Sequence, residues 1–381
     1  MLNQKLQTKK SFSMDTRDKI RFKNSHRDFT LTLNKRVNSF FKANQLSRHA
    51  DSEMVIKSII MMALYFGPYA LIISGVVSGI FFTMVLVFIM GFGLAGIGLS
   101  VMHDGNHGAY SGKRWVNTMI GYSLNLIGAS AFNWKVQHNV LHHSYTNVYD
   151  ADEDISKKGI LRFSPHAQWK WHHRFQFIYA WLLYGLMTLS WMFFKDFKQL
   201  LNYQRTGWIK HQKSKAWKEW GILIITKMVY ISYIFIVPML LTPWFWWQVL
   251  IGILIMHYIT GFLLAIIFQP AHVIEGSAFP EPDINHSLKD NWTIHQLRTT
   301  TNFANKSRWF TWIVGGLNFQ VEHHLFPSIC HVHYRKLAPI VKKTAQEFGV
   351  PYLSKKTFVG ALWDHTKMLY ELGRRNRAFI D

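Results

Sequence analysis

Long apolar runs alternate with polar, basic stretches along this chain. Four runs, at residues 58–77, 80–100, 221–241 and 246–268, are apolar throughout and almost free of charge. A helix needs about 20 such residues to cross the hydrocarbon core of a bilayer. The runs form two pairs, and a very short turn joins the members of each pair. The pattern therefore predicts an all-α integral membrane protein with four transmembrane helices in two hairpins.

The distribution of Lys and Arg assigns the sides of the membrane. The turns within the pairs, around 78–79 and 242–245, contain neither residue, whereas the segments outside the pairs are rich in both. Cytoplasmic loops carry the excess of basic residues in membrane proteins. We therefore expect the turns to face away from the cytoplasm. The polar stretches should form one cytoplasmic helical cap, with both termini on the same side.

A fifth apolar run, at 175–194, is also long enough to cross the membrane. If it did so, the polar stretches before and after it would lie on opposite sides of the bilayer. We therefore interpret it as an interfacial helix that lies against the cytoplasmic leaflet.

Composition narrows the class of protein further. Hydrophobic residues make up 49% of the 381 positions, and Lys and Arg outnumber Asp and Glu by 43 to 21. A nucleic-acid-binding protein is also basic, but it lacks long uncharged runs, so we expect no nucleic acid partner. Cys330 is the only cysteine, which excludes a disulfide within the chain and argues against a thiolate metal site. Residues 1–53 show no secretory signal and are expected to form a basic cytoplasmic tail.

Histidines are concentrated in three short motifs: HDGNH at 103–107, HNVLHH at 138–143 and QVEHH at 320–324. Residues i and i+4 share one face of a helix, so the first two motifs can each present two imidazoles to one point. Adjacent histidines point in different directions and can reach two metal ions, which suggests a binuclear centre. A further candidate follows the last apolar run, in QPAH. The candidate ligands are His103, His107, His138, His142, His143, His272, His323 and His324.

The position of these motifs, at the ends of apolar runs, indicates the chemistry. Imidazole suits iron, zinc, copper and nickel alike, but eight imidazoles are too many for one tetrahedral zinc. A metal pair at this level faces lipids, and cleavage of an unactivated C–H bond requires a redox metal and O2, which favours iron. A metal transporter is disfavoured, because transporters place their ligands within the spans. Only His257 lies there, and we interpret it as structural.

The motif order HxxxH, HxxxHH and QxxHH resembles that of the membrane-bound fatty acid desaturases. The similarity runs from about residue 60 to 350 and includes WKVQHNVLHHSYTNVYDADEDI and GGLNFQVEHHLFPSICHVHYRKLAPIVKK. Gln320 stands where many members have a histidine, which resembles the front-end group that acts at Δ5, Δ6 or Δ8. The resemblance implies a desaturase domain over 54–350, followed by a cytoplasmic tail over 351–381.

The resemblance also implies the reaction and its partners. An O2-dependent enzyme would place a cis double bond in an acyl-CoA or acyl-lipid substrate, with the eight histidines holding two iron ions. Gln320 would be a weak ligand or would hydrogen-bond to one. No HPGG haem motif is found, so we expect no haem in this chain and a separate ferredoxin or cytochrome b5 as electron donor. We expect the bacterial inner membrane as its location. A lipid hydroxylase or ketolase with the same histidine motifs is the alternative.

Other residues are expected to support the metal centre. Metal-bound imidazoles donate their second N–H to carboxylates or carbonyls. The acidic run after the second motif and the aspartate inside the first are the nearest sources, although the run also fits a solvated loop. Aromatic residues such as Trp134 should line an apolar tunnel beneath the metals. The candidate carboxylates are Asp104, Asp150, Asp152, Glu153 and Asp154.

Overall fold

The computed structural model describes residues 20–77, 79–156 and 159–374, which are mostly helical. Four helices are long and apolar enough to cross a membrane: Ser52–Ile73 (span 1), Ile80–His107 (span 2), Ala216–Leu241 (span 3) and Trp246–His272 (span 4). The predicted apolar helices are therefore present. Span 1 begins earlier than expected because the side chain of Asp51 caps it, accepting a hydrogen bond from the backbone N–H of Met54 at 3.1 Å.

Spans 2 and 4 lie at the centre of the bundle. About half of each apolar window is buried, 50% and 56%, against 28% for spans 1 and 3. Small residues allow close approach, as is usual for membrane helices. A Cβ on Gly93 would lie 2.6 Å from the backbone of Leu64 in span 1, and one on Gly261 would lie 2.6 Å from the carbonyl oxygen of Gly185. The two central helices are therefore held rigidly, and both end at histidines.

The segment predicted to be interfacial is a bent pair of helices. Trp171–Tyr184 and Met187–Arg205 differ in direction by 72°, so the described chain contains four candidate spans, or five if the bent pair is one span. Polar contacts fix the bend and the second arm. Thr188 Oγ1 donates to the carbonyl oxygen of His257 at 2.8 Å, and Lys227 of span 3 forms a buried ion pair with Asp196 at 2.6 Å.

The other helical segments, which include the parts of the bent pair, lie outside the four spans along the chain. Two pairs of short parallel strands lie among them, Arg21–Phe22 with Ser287–Leu288 and Thr301–Phe303 with Leu353–Lys355. The helical segments are Arg27–Ala43, Arg114–Gly121, Ser123–Leu126, Ala131–Trp134, Lys135–His142, Trp171–Phe175, Gln176–Tyr184, Met187–Ser190, Trp191–Lys195, Asp196–Arg205, Trp208–His211, Trp292–Thr299, Arg308–Ile313, Gln320–Leu325, His331–His333, Tyr334–Glu347 and Phe358–Leu372.

Both segments predicted to be tails contain folded helices. Arg27–Ala43 buries one face, spaced at i and i+4, against the helix Tyr334–Glu347. Arg36 reinforces this contact with an ion pair to Glu347 at 2.6 Å. Near the other end of the chain, His365 of Phe358–Leu372 is fully buried and hydrogen-bonds to the carbonyl oxygen of Val273, next to the end of span 4. The described parts of these segments therefore belong to the folded body.

The buried ion pair between Lys227 and Asp196 gives a test of how the bent segment is held. Lys227→Met leaves an uncompensated buried carboxylate, which should destabilise the protein by about 3–5 kcal/mol. Thermal unfolding in detergent, followed by circular dichroism, should show the lower Tm. The double variant Lys227→Met/Asp196→Leu should recover part of the loss. An unchanged Tm in the single variant would show that the ion pair does not hold this segment.

Candidate metal centre

Helix ends bring the three histidine motifs together. The first motif forms the last turn of span 2, directly after a π-helical turn at Ile97–Val101. The third lies on the short helix Gln320–Leu325, and His272 is the last residue of span 4. Single π-helical turns within α-helices are frequent at functional sites, because they change the direction in which side chains point.

The second motif differs from the α-helix that its spacing predicts. Residues Lys135–His142 form a π-helix, and the backbone N–H of His143 donates to the carbonyl oxygen of His138 at 3.0 Å. This i→i+5 bond brings His138 and His143 to one side, with their Nε2 atoms 3.2 Å apart. His138 and His143 therefore both group with His323, whereas His142 groups with His272 and His324, and also with His138 and Asp154.

All eight candidate histidines gather in one region. They form three overlapping groups, and in each group the potential ligand atoms lie within 4.8 Å of one another. Two groups share no residue, which is the arrangement that a binuclear centre requires. The groups are His103, His107, His138 and His323; His142, His272 and His324; and His143, His323 and His324.

The ring nitrogens fit a bound cation. Within the described chain, both ring nitrogens of His103, Nε2 of His107, Nδ1 of His143 and Nε2 of His324 are buried without a hydrogen-bond partner. His143 Nε2 also lies only 3.0 Å from His323 Nε2. Nitrogens bound to one metal at about 2.0–2.1 Å have a similar separation. A metal ion would satisfy one nitrogen of each ring, whereas imidazoles that face one another cannot all satisfy each other.

Burial also sets the charge state that metal binding needs. It lowers the pKa of His138 to about 3, and it lowers the pKa values of His143, His323 and His324 well below the usual range. Neighbouring imidazoles further lower the pKa values of the last three. The rings are therefore neutral at physiological pH, and the neutral ring is the form that binds a metal.

Four of these histidines contact an outer group through Nδ1, which leaves Nε2 directed at the cluster. Such contacts fix the tautomer and the orientation of the ring. The pairs are His142 with Asp152 Oδ2 at 3.0 Å, His324 with Gln296 Oε1 at 2.8 Å, His272 with the carbonyl oxygen of Thr299 at 3.2 Å, and His323 with the hydroxyl of Tyr334 at 3.3 Å.

The candidate carboxylates are distributed unevenly around the site. Asp152 is fully buried on His142, and Asp154 Oδ2 lies 3.5 Å from the same ring nitrogen and 3.9 Å from Nδ1 of His138. Glu153 instead accepts a hydrogen bond from the hydroxyl of Tyr203 at 2.7 Å.

The other two candidates lie in different surroundings. The backbone N–H of Asp150 donates to Ser156 Oγ at 3.1 Å. Asp104 lies beside His103, with Oδ1 at 3.8 Å from its Nδ1. The acidic run is therefore a folded turn around the buried Asp152 and not a fully solvated loop.

Sequence reasoning did not identify Gln296, Thr299 and Tyr334 as supports of the site. Gln296 and Thr299 lie 28 and 27 residues from the histidines that they contact, and Tyr334 lies 11 residues from His323, beyond the reach of helical spacing. The one available signal was the row of polar residues on the helix Trp292–Thr299, most of which are buried. Gln296 also donates to the carbonyl oxygen of His143 at 3.0 Å, so it connects two motifs.

Gln320 and Glu322 play different parts in the third motif. Gln320 is buried, and its amide nitrogen has no hydrogen-bond partner within the described chain. Glu322 accepts hydrogen bonds from Asn302 at 2.8 Å and from Tyr352 at 2.9 Å. Burial raises the pKa of Glu322 to about 7. Glu322 therefore links the third motif to the strand pair of Thr301–Phe303 and Leu353–Lys355. The amide nitrogen of Gln320 can still donate hydrogen bonds.

Aromatic rings close the membrane side of the cluster. The Trp134 ring lies 4.4 Å from that of His138, and the Phe268 ring lies 6.4 Å from that of His103. One helical turn from Phe268, Leu264 lines a small cavity of about 10 Å³ whose other lining residues are mainly apolar and include Trp191. Trp134, which was predicted to line an acyl tunnel, packs on His138 and is not among the residues that line this cavity.

Comparison with known proteins identifies this arrangement. The family model described as fatty acid desaturase matches residues 78–356. The chain belongs to the fatty acid desaturase family. The protein is therefore a membrane oxidoreductase that desaturates fatty acyl chains.

Several characterised relatives cover almost the whole chain. The desaturase is 38% identical to an acyl-lipid (8-3)-desaturase of Physcomitrium patens, over 91% of this chain and 72% of the relative. It is 35% identical to the sn-1 linoleoyl-lipid 6-desaturase of Arthrospira platensis, over 88% and 89%. It is also 35% identical to the enzyme of the same name from Synechocystis sp., over 95% and 99%.

Gln296 provides a test of the outer contacts. Gln296→Leu removes the acceptor for His324 Nδ1 and leaves the carbonyl oxygen of His143 without this donor. Loss of such a contact should weaken metal binding by about 10–100-fold, as measured by metal titration of the apoprotein. The exposed Gln204→Leu is the control and should bind metal like the parent. Equal affinity of the two variants would contradict the role assigned to Gln296.

Proposed function

We propose that this desaturase is a front-end acyl-lipid enzyme with a di-iron centre. The observation that carries the proposal is the convergence of eight histidines in one buried region, seven of them in two groups that share no residue. The names of the relatives, 6-desaturase and (8-3)-desaturase, support action between an existing double bond and the carboxyl end. They also support an acyl-lipid substrate, with acyl-CoA as the alternative.

The proposed ligands divide between two metal positions. His103, His107, His138 and His323 would hold one ion, and His142, His272 and His324 the other. His143 lies near both groups, since its Nε2 is 3.0 Å from that of His323 and its ring stacks on that of His324 at 4.3 Å. Gln320 would be a weak ligand or a hydrogen-bond donor within the site.

Iron suits this donor set and this reaction. Two iron ions bound here would supply the O2-dependent oxidation that removes two hydrogen atoms from adjacent methylenes, with external electrons and with water as the other product. The residues of the chain position the substrate. A saturated chain offers no polar handle, so its orientation must come from apolar walls such as those of Trp134 and Phe268. The hydrogen-bond partners behind the histidines, including Asp152, hold the imidazole rings in their orientations.

We infer the orientation from charge and from the bend. The helices Trp171–Tyr184 and Met187–Arg205 differ in direction by 72°. With this bend, the first helix can enter the membrane surface at a shallow angle and the second can leave it at a similar angle on the same side. The pair would then be interfacial. The four spans would form two hairpins below a cytoplasmic cap, with both termini cytoplasmic. The helices Arg27–Ala43 and Phe358–Leu372, from the segments 1–53 and 351–381 that flank the desaturase domain 54–350, would be part of this cap.

The proposed orientation also bears on how an electron donor would approach. The excess of Lys and Arg, 43 against 21 acidic residues, would attract an acidic carrier by electrostatic steering. A separate ferredoxin or cytochrome b5 has that character. The bacterial inner membrane is the proposed location.

Two histidines from different motifs test the ligand assignment. His142→Ala and His324→Ala should each abolish turnover and lower the iron content, because each removes a member of the group that also holds His272. His257→Ala is the control, since His257 bonds to Tyr230 at 2.6 Å and to Thr188 at 3.1 Å and lies outside the cluster. Iron analysis of the purified variants provides the measurement. Loss of iron from His257→Ala alone would refute the assignment.

Lipid analysis tests the reaction itself. The chain is expressed with a ferredoxin system in a host that is fed saturated, monoenoic and dienoic acids. We expect a product lighter by one pair of hydrogen atoms, with the new double bond on the carboxyl side of an existing one, located by mass spectrometry. A product heavier by one oxygen atom would instead identify a hydroxylase. A double bond on the methyl side would exclude the front-end assignment.

A further inference from the structure

A second cluster of buried ionisable residues adjoins the histidine groups without belonging to them. Lys57 of span 1 is 1% exposed, although it lies on a helix that is otherwise apolar around it. Asp104, Cys330 and His331 are also at most 2% exposed, and their potential ligand atoms lie within 4.8 Å of one another. Charged residues are rarely buried at such sites unless they pair with one another.

The hydrogen bonds form a chain from Lys57 through His331 to Asp104. Lys57 Nζ lies 2.8 Å from His331 Nε2. An ammonium group only donates, so Nε2 of His331 accepts and its Nδ1 carries the proton. That Nδ1–H donates to Asp104 Oδ2 at 2.8 Å. The same oxygen accepts the backbone N–H of His331 at 3.2 Å and the thiol of Cys330 at 3.0 Å.

The other oxygen of Asp104 faces the metal site. Oδ1 lies 3.8 Å from Nδ1 of His103, whose two ring nitrogens have no hydrogen-bond partner within the described chain. His103 belongs to the group with His107, His138 and His323. A carboxylate placed behind a metal-bound imidazole fixes its tautomer and raises its basicity. Asp104 can act in this way only while its own position is held.

We propose that Lys57 and His331 are positioning residues for His103. They hold and neutralise Asp104, so that its Oδ1 orients the His103 imidazole towards the metal. The proposal rests on the proposed di-iron function. It adds a residue of span 1, which carries no histidine motif, to the support of the metal centre. It also gives a role to the chain just after the third motif.

Among the carboxylates near Lys57, Asp104 interacts with it most strongly, and Glu53 and Asp51 interact with it less strongly. The ammonium group of Lys57 also lies 5.2 Å from the centre of the Trp312 ring. This cation–π contact stabilises the ammonium, but it supplies no negative charge. Gly316 lets the neighbouring loop approach, since a Cβ there would lie 2.9 Å from Cβ of His331. Removal of Lys57 would therefore leave the carboxylate of Asp104 buried without its countercharge.

The test compares two buried lysines in the full-length desaturase. Lys57→Met removes the charge behind Asp104, whereas Lys227→Met removes a similarly buried charge, whose partner Asp196 does not contact the histidines. We expect iron affinity at one of the two positions to fall by about 10–100-fold in Lys57→Met, measured by iron titration against a chelator. The Mössbauer spectrum should show one altered iron environment. Lys57→Arg should restore part of the affinity.

The remaining outcomes decide between positioning and a purely structural role. Lys227→Met should have a lower Tm but an unchanged iron stoichiometry while it is folded. If Lys57→Met also binds both ions with parent affinity, the proposal is wrong. If Lys57→Met does not fold, His331→Gln gives the same test, and unchanged iron binding there overturns the proposal. Failure of the parent protein to bind iron would instead refute the proposed di-iron function.

Discussion

The ring nitrogens of eight clustered imidazoles need hydrogen-bond partners or metal ions, because water is largely excluded from the site. Much of the surrounding structure provides these partners. Seven of the eight rings are buried, and His107 is partly buried. A buried polar atom without a partner costs about 1–3 kcal/mol. The fold supplies outer partners for four Nδ1 atoms. It leaves the Nε2 atoms facing one another, an arrangement that is favourable only around a cation.

The membrane helices provide the rigid frame for this arrangement. Spans 2 and 4 are the most buried, and each carries histidines at its last turn. Close contacts at Gly93 and Gly261 hold these helices against their neighbours. The π-helical turns then rotate the first two motifs into place. A small change in helical winding thus decides which imidazoles meet.

Buried charge is handled by pairing at two places. Lys227 joins span 3 to the bent segment through Asp196, and Lys57 joins span 1 to the first histidine motif through His331 and Asp104. Each lysine would be costly in an apolar setting if it were alone. The pairs connect parts of the chain that are distant in sequence, and they therefore link the spans to one another and to segments outside them.

The sequence by itself determined the membrane class, the four apolar helices, the three histidine motifs and the family resemblance. These features depend on local composition and on spacing along one segment. It did not reveal the π-helix around His138 and His143, because the two helical forms differ by one residue in the spacing of their hydrogen bonds and tertiary packing selects between them. Nor did it reveal Gln296 or Lys57, which reach the site from distant segments, or Tyr334, which a loop and a short helix separate from His323. Folding also drew Arg27–Ala43 and Phe358–Leu372 into the body, since their apolar faces have no partner until the whole chain is assembled.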